Sequence, residues 1–191
     1  MARPRMITDE QLVQAAATAV VKRGDGSWSL ADVAREAGVS PAALVKRFGS
    51  RHGLLVAVAR TWVGGLPSYD GAAIDDPVAH VRQWVADWAG SASAPSAATG
   101  HLTLLLDEIV HDETRELLVE GRQAQTRYLA AALEDAHQRA LLRRSPPEAA
   151  VELWLDLLAG AAVGCAIDRS DRAVVRALTH IDSDIESWRN A

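Results

Sequence analysis

The sequence predicts an all-α fold of about nine helices, in which a small three-helix unit precedes a larger helical body. Three observations carry this prediction. Apolar residues return every three or four positions through most of the chain, between N-cap residues and glycine or proline stops. No stretch alternates apolar and polar residues for more than a few positions, so no strand is expected. Alanine and leucine are abundant, whereas the 191 residues hold one phenylalanine and two tyrosines, a balance that favours helix.

Helix 1 opens at Thr8-Asp9-Glu10-Gln11, a capping box in which Gln11 reaches back to the Thr8 backbone. Leu12, Ala16, Ala19 and Val20 form its stripe, Lys22 and Arg23 suit its C-terminal end, and Gly24 stops it. Asp25-Gly26 turns the chain, and Trp28 is expected to fill the gap behind helix 1. Ser29 then caps helix 2, with Asp32 as its short acidic partner and Leu30, Val33, Ala34 and Ala37 as its buried face. Gly38 ends it, Ser40 caps helix 3 and Pro41 takes the first helical position. Helix 3 spans Pro41 to Phe48, and Ser50 caps helix 4, which continues past Leu54, Leu55, Val58 and Trp62 to Gly64-Gly65. Residues 67–77 read as a loop, Pro77 opens helix 5, and residues 90–100 (GSASAPSAATG) read as a flexible connection. Helix 6 is expected over 101–111, helix 7 over 113–142, helix 8 over 148–168 and helix 9 over 171–189.

The net charge of −5 hides an asymmetry. Residues 1–60 carry nine Lys/Arg against five Asp/Glu, and residues 61–191 carry eleven against twenty. A basic head on an acidic body suits a polyanionic partner for the head. On helix 3, Leu44 and Phe48 point inward, while Lys46 lies nearly opposite, flanked by Ala42, Ala43 and Val45, with Arg47 on the shoulder. Small residues and cations on the outer face let a helix press into a groove of double-stranded DNA.

At helices 2 to 4 the chain resembles the TetR (tetracycline-repressor) family of bacterial transcription regulators. The resemblance rests on Gly24, Ser29, Val33-Ala34, Ala37-Gly38-Val39-Ser40, Leu44-Val45, Phe48, Ser50-Arg51 and Leu54, and it covers about residues 8–55. It implies a helix-turn-helix DNA-binding domain over residues 1–55 and a helical ligand-sensing and dimerisation domain over 56–191. It further implies that Ser29 and Arg51 meet phosphates and that Pro41, Ala42, Ala43 and Lys46 face base edges. Ser40 and Val45 belong to the same surface, Arg47 lies near the backbone, and Arg3 and Arg5 follow the backbone or enter the minor groove. Val45 replaces the tyrosine usual in such proteins, which removes one phosphate contact and leaves a methyl surface for thymine.

The implied protein is a homodimeric, ligand-responsive transcription regulator, a repressor released from a palindromic operator by a small molecule. Small residues from Ala159 to Cys165 favour dimerisation through the last two helices. Candidate ligand-binding residues are Trp62, Trp84, Trp88, His101, Leu105, Glu108, Arg122, Gln125, Tyr128 and Trp154, which offer apolar walls and a few polar groups. No catalytic or metal site and no cofactor is expected. The competing enzyme reading is a di-iron bundle built on Glu108-x-x-His111 and Glu134-x-x-His137.

The basic residues of MARPRMITDE lack a following apolar run, so no signal peptide is expected. The nearly apolar run 157–167 is too short to span a bilayer, and the lone Cys165 fits a reducing cytoplasm.

Overall fold

The computed structural model describes residues 7–23 and 27–190. The described residues form nine α-helices and one short 3₁₀ turn, with no strand among them. The helices are α1 (Asp9–Arg23), α2 (Leu30–Ala37), α3 (Pro41–Phe48), α4 (Arg51–Gly64), α5 (Pro77–Ala92), α6 (Pro95–Ile109), α7 (Asp112–Gln138), α8 (Ala150–Asp168) and α9 (Arg172–Arg189). The chain divides into two compact units, one of residues 1–65 and 100–120, the other of 66–99 and 121–191.

In the first unit α1 packs on α2 and α4, α2 on α3, and α3 on α4. The Thr8–Gln11 box forms as expected, with the Gln11 N–H on the Thr8 hydroxyl at 3.2 Å and the Thr8 N–H on Gln11 Oε1 at 3.0 Å. Leu12, Ala16, Ala19, Trp28, Val33, Ala34, Leu44, Leu54 and Leu55 form one buried cluster, against which Phe48 and Leu104 also pack. Four short helices thus share a single core, which fixes α3 against its neighbours. Gly24, Asp25, Gly26, Arg3 and Arg5, and the side chains of Lys22 and Arg23, lie outside what is described.

In the second unit α8 lies along α9, and α5 packs on both. Val81, Val85, Leu129, Leu133, Trp154, Leu158, Ile181 and Ile185 are central to its core. Trp154 stacks on Trp188 with ring centroids 5.4 Å apart, and its indole N–H donates to Asp184 at 2.8 Å. Arg82 bridges α5 to α9 by donating to Asp182 at 2.8 Å and to Glu186 at 2.5 Å. Hydrogen bonding to Arg82 holds the Glu186 carboxyl below its ordinary range.

Three boundaries differ from expectation. Residues 90–100 are mostly helical, because α5 runs on to Ala92 and α6 begins at Pro95. The small residues read there as a flexible connection are packed, with Ala92, Ala98 and Gly100 buried. α7 ends at Gln138, not Leu142: Ala140 takes a left-handed φ of 59°, and the N–H groups of Leu141 and Leu142 return to the Ala136 carbonyl. α8 begins at Ala150, not Glu148. α8 has 19 residues, and an 18-residue window within it has a mean hydropathy of 1.7, so by length and composition alone it is apolar enough to cross a membrane. Here α8 buries Trp154, Leu155, Leu158, Ala161, Ala162 and Cys165 in the core.

Candidate nucleic-acid interface

The turn between α2 and α3 is built from local signals. The Ser29 hydroxyl accepts from the Asp32 N–H at 3.3 Å, while Asp32 Oδ2 accepts from the Ser29 N–H at 3.0 Å and from its hydroxyl at 2.5 Å. Asp32 is buried and also receives Arg35 at 3.1 Å. Ser29 is therefore committed to its capping box, and a phosphate would have to share it. Gly38 takes φ +68°, and the Val39 N–H closes on the Ala34 carbonyl at 2.9 Å. A side chain here would be strained by its backbone alone, since open space surrounds the position.

Ser40 caps α3 by accepting from the Ala43 N–H at 3.2 Å, and Pro41 follows in the first helical turn. Leu44 is fully buried and Phe48 half-buried, which anchors one side of α3. The opposite side presents Ser40, Pro41, Ala42, Val45 and Lys46 exposed, with Ala43 half-buried. The face deduced from periodicity is thus the one turned outward. No ion pair engages Lys46 among the described residues, and its exposed neighbours Pro41, Ala42 and Val45 are small or apolar.

Two arginines on the expected contact surface have partners that the spacing did not reveal. Arg47 Nε lies 3.2 Å from Asp9 Oδ1, and its Nη1 donates to the Ile7 carbonyl at 2.6 Å. It braces the start of α1 against α3. Arg51, the first residue of α4, donates through Nη2 to Asp107 Oδ2 and through Nε to the Trp28 carbonyl at 3.3 Å. Its Cζ lies 3.9 Å above the Trp28 ring, a cation–π arrangement. Asp107 had no place in the sequence reading, since only the fold brings it to a residue 56 positions earlier.

Gly53 was also missed. It stands in the first turn of α4, where its N–H meets the Ser50 hydroxyl at 3.0 Å. A Cβ at this position would come within 1.9 Å of the Phe48 carbonyl oxygen. The end of α3 therefore rests directly against α4 where a glycine makes room. A glycine in the first turn of a well-capped helix was the available signal, because helix propensity alone disfavours it.

The ten candidate ligand residues fall in both units. In the first, Trp62 is 38% exposed, His101 exposed, Leu105 half-buried and Glu108 buried. Burial, reinforced by the neighbouring Asp107, pushes the Glu108 carboxyl up to about 7. In the second unit Trp84, Trp88 and Gln125 are half-buried. Tyr128 lies 2.5 Å from His80 Nε2 through its hydroxyl. Arg122 is exposed and donates to Asp156 at 2.6 Å. Trp154 departs from expectation: it is 2% exposed, stacked and hydrogen-bonded, a core residue with no open wall. A cleft of about 470 Å³ in this unit lies between Leu133-Glu134 of α7 and Pro146-Pro147-Glu148, and none of the ten residues lines it.

Nothing assembles on the two Glu-x-x-His pairs. Among the described residues no group of three or more His, Cys, Asp or Glu side chains is placed to hold a metal. His137 instead uses Nδ1 on the Leu142 carbonyl at 2.9 Å, helping to close the end of α7, and His111 packs against His52 at 4.4 Å.

Comparison with known proteins agrees with this geometry. Residues 12–58 match the model of the family described as "Bacterial regulatory proteins, tetR family". A TetR transcription regulator from Haloarcula marismortui superposes with a TM-score of 0.75 at 14% identity, covering 94% of this chain and 97% of that one. The reduced form of NemR from E. coli gives 0.68 at 19% identity, with 94% and 98% covered. SmeT, the repressor of the Stenotrophomonas maltophilia multidrug efflux pump SmeDEF, gives 0.65 at 16%, with 96% and 91% covered. At such identities the likeness shows a shared all-helical fold over nearly the whole chain. No match is found among the curated proteins.

Proposed function

We propose that this chain, whose reading head matches the tetR family of bacterial regulatory proteins, is a ligand-responsive DNA-binding transcription regulator. It acts as a repressor, and residues 1–55 are its DNA-binding domain. The observation that carries this reading is the outward face of α3, with Lys46 exposed among small residues on a helix locked at its back by Leu44. Phosphate contacts would set the register of α3 in the major groove, and its few outward side chains would read bases. Pro41, Ala42, Ala43 and Val45 offer methyl and methylene contacts, so selectivity would lean on shape and on the spacing of two half-sites.

Lys46→Ala tests the assignment. Operator affinity is expected to fall about three- to ten-fold, and the slope of log affinity against log salt to shrink by about 1, as one fewer counterion is released. An unchanged slope would place another surface on the DNA. The operator itself is obtained by selecting bound fragments from genomic DNA, which should return a palindrome.

The second copy is proposed to dock on α8 and α9, over the domain formed by residues 56–191. Leu153, Val163 and Ile167 of α8 and Val175 of α9 are exposed in the single chain, at 64%, 40%, 73% and 52%. Apolar side chains of that size on one pair of helices suit burial against an identical surface. Sedimentation at micromolar concentration is expected to give a dimer; a monomer would remove the palindrome argument.

The effector is a small molecule held in the helical body, and release of DNA follows only if it binds the non-matching conformer more tightly. The protein is placed in the cytoplasm as a regulator without catalytic activity. The regulator reading calls for no di-iron chemistry.

A further inference from the structure

We propose that Asp107 competes with the DNA backbone for Arg51 and so holds the affinity of the reading head below what its cations alone would give. The inference rests on the regulator reading above and adds to it a named ionic exchange. Asp107 Oδ2 is the meeting point of three elements of the first unit. It accepts from Arg51 Nη2 at the start of α4 and from Trp28 Nε1, ahead of α2, at 2.7 Å. The guanidinium lies on the Trp28 ring and donates also to the Trp28 carbonyl. Asp107 itself belongs to α6.

The node is accessible from solvent: the Arg51 and Asp107 side chains are 38% and 30% exposed. Asp107 engages Arg51 through Nη2 and the Trp28 carbonyl engages it through Nε, which leaves Nη1 for a phosphate oxygen. A phosphate oxygen and a carboxylate oxygen seek the same donors on the same plane. When a phosphate takes Arg51, the Asp107 charge is left without its cation and close to the polyanion. Both consequences weaken DNA binding, and both scale with how near α6 holds Asp107 to Arg51.

The exchange has an ionic signature. A cation that leaves the phosphate on binding Arg51 is replaced by a cation recruited to Asp107, so the pair contributes little to the salt dependence. Asp107→Asn breaks that cancellation and keeps an oxygen acceptor for the Trp28 indole. With full-length protein and a DNA fragment that the wild type selects, the variant is expected to bind about five-fold more tightly. Its salt slope should steepen by about 1. In an Arg51→Gln background the gain in affinity is expected to shrink to that of Asp112→Asn, and the slope to stay unchanged. Asp112→Asn, which removes an exposed acid at the start of α7, reports the general effect of one lost negative charge. Unchanged or weaker binding by Asp107→Asn overturns the proposal. So does a gain that is undiminished without Arg51, or one in the wild-type background no larger than that of Asp112→Asn. A wild-type protein that retains no DNA fragment overturns the regulator reading itself, an outcome distinct from these.

Discussion

Gly53→Ala is expected to lower operator affinity by about ten-fold or more, the loss of roughly one good base contact's worth of binding. It should also lower the thermal midpoint by about 5–10 °C. The new methyl would sit 1.9 Å from the Phe48 carbonyl oxygen and 3.1 Å from its carbon. Those are backbone atoms, so no side-chain rotation relieves the contact. Either the last turn of α3 moves away from α4, or α4 loses the Ser50 cap made to the Gly53 N–H. Overpacking of this kind costs about 3 kcal/mol. The first response moves Val45 and Lys46 with the helix that carries them, which is why binding suffers along with stability.

Two other glycines separate this clash from general intolerance. Gly38→Ala meets no atom within 4 Å and carries only the strain of φ +68°, about 1–2 kcal/mol. Gly64→Ala meets no atom and has no such strain, so it should be nearly neutral. Operator binding and thermal unfolding of the three variants check the order. If Gly53→Ala matches Gly64→Ala in both, the close approach of α3 to α4 is not what positions the reading head.

The reading head was legible because its instructions are local. Ser29, Ser40 and Ser50 each accept a backbone N–H three residues on, and Gly38 ends α2 where a left-handed turn is needed. Periodicity over eight residues sufficed to turn Leu44 inward and Lys46 outward. What stayed hidden depends on contacts across the fold. Arg51 shows the limit: its motif position suggests a phosphate, and its distant neighbours Trp28 and Asp107 supply a carboxylate and a ring.

The body was harder to read for a different reason. Residues 90–100 are rich in Ser, Ala and Gly, which marks a loop by composition, but burial of Ala92 and Ala98 makes them helical. Tertiary packing outweighs a weak propensity there. At the end of α7 the chain turns through left-handed Ala140 with no glycine to announce it. That conformation is held by the Ala136 carbonyl, by His137 on the Leu142 carbonyl and by the Arg143 and Arg144 N–H groups on the Trp188 carbonyl. Among the ligand candidates, residue type could not tell Trp154, used up in the core, from Trp62, partly open.

Glu108→Gln is expected to make the protein more stable at pH 8 and to leave it nearly unchanged at pH 5. Glu108 is 6% exposed, and burial first, then Asp107 beside it, lifts its carboxyl from 4.5 to about 7. The folded state therefore holds this proton more tightly than the unfolded chain does. Its favourable share of stability is complete below about pH 4.5 and is lost as pH rises through about 7. A rise of that size corresponds to about 3 kcal/mol between the two limits. At pH 5 the wild-type carboxyl is neutral in the folded state and resembles the amide of glutamine in shape and charge. At pH 8 it must ionise in a site that disfavours the charge, and the amide does not. Thermal unfolding of both proteins at the two pH values measures the difference, with the other titrating groups common to both. The gap should open between pH 5 and pH 8 by several degrees. In the Asp107→Asn background it should narrow, because one of the two causes of the raised value is gone. A gap equal at both pH values would mean that Glu108 reaches water in the folded protein and carries no such penalty.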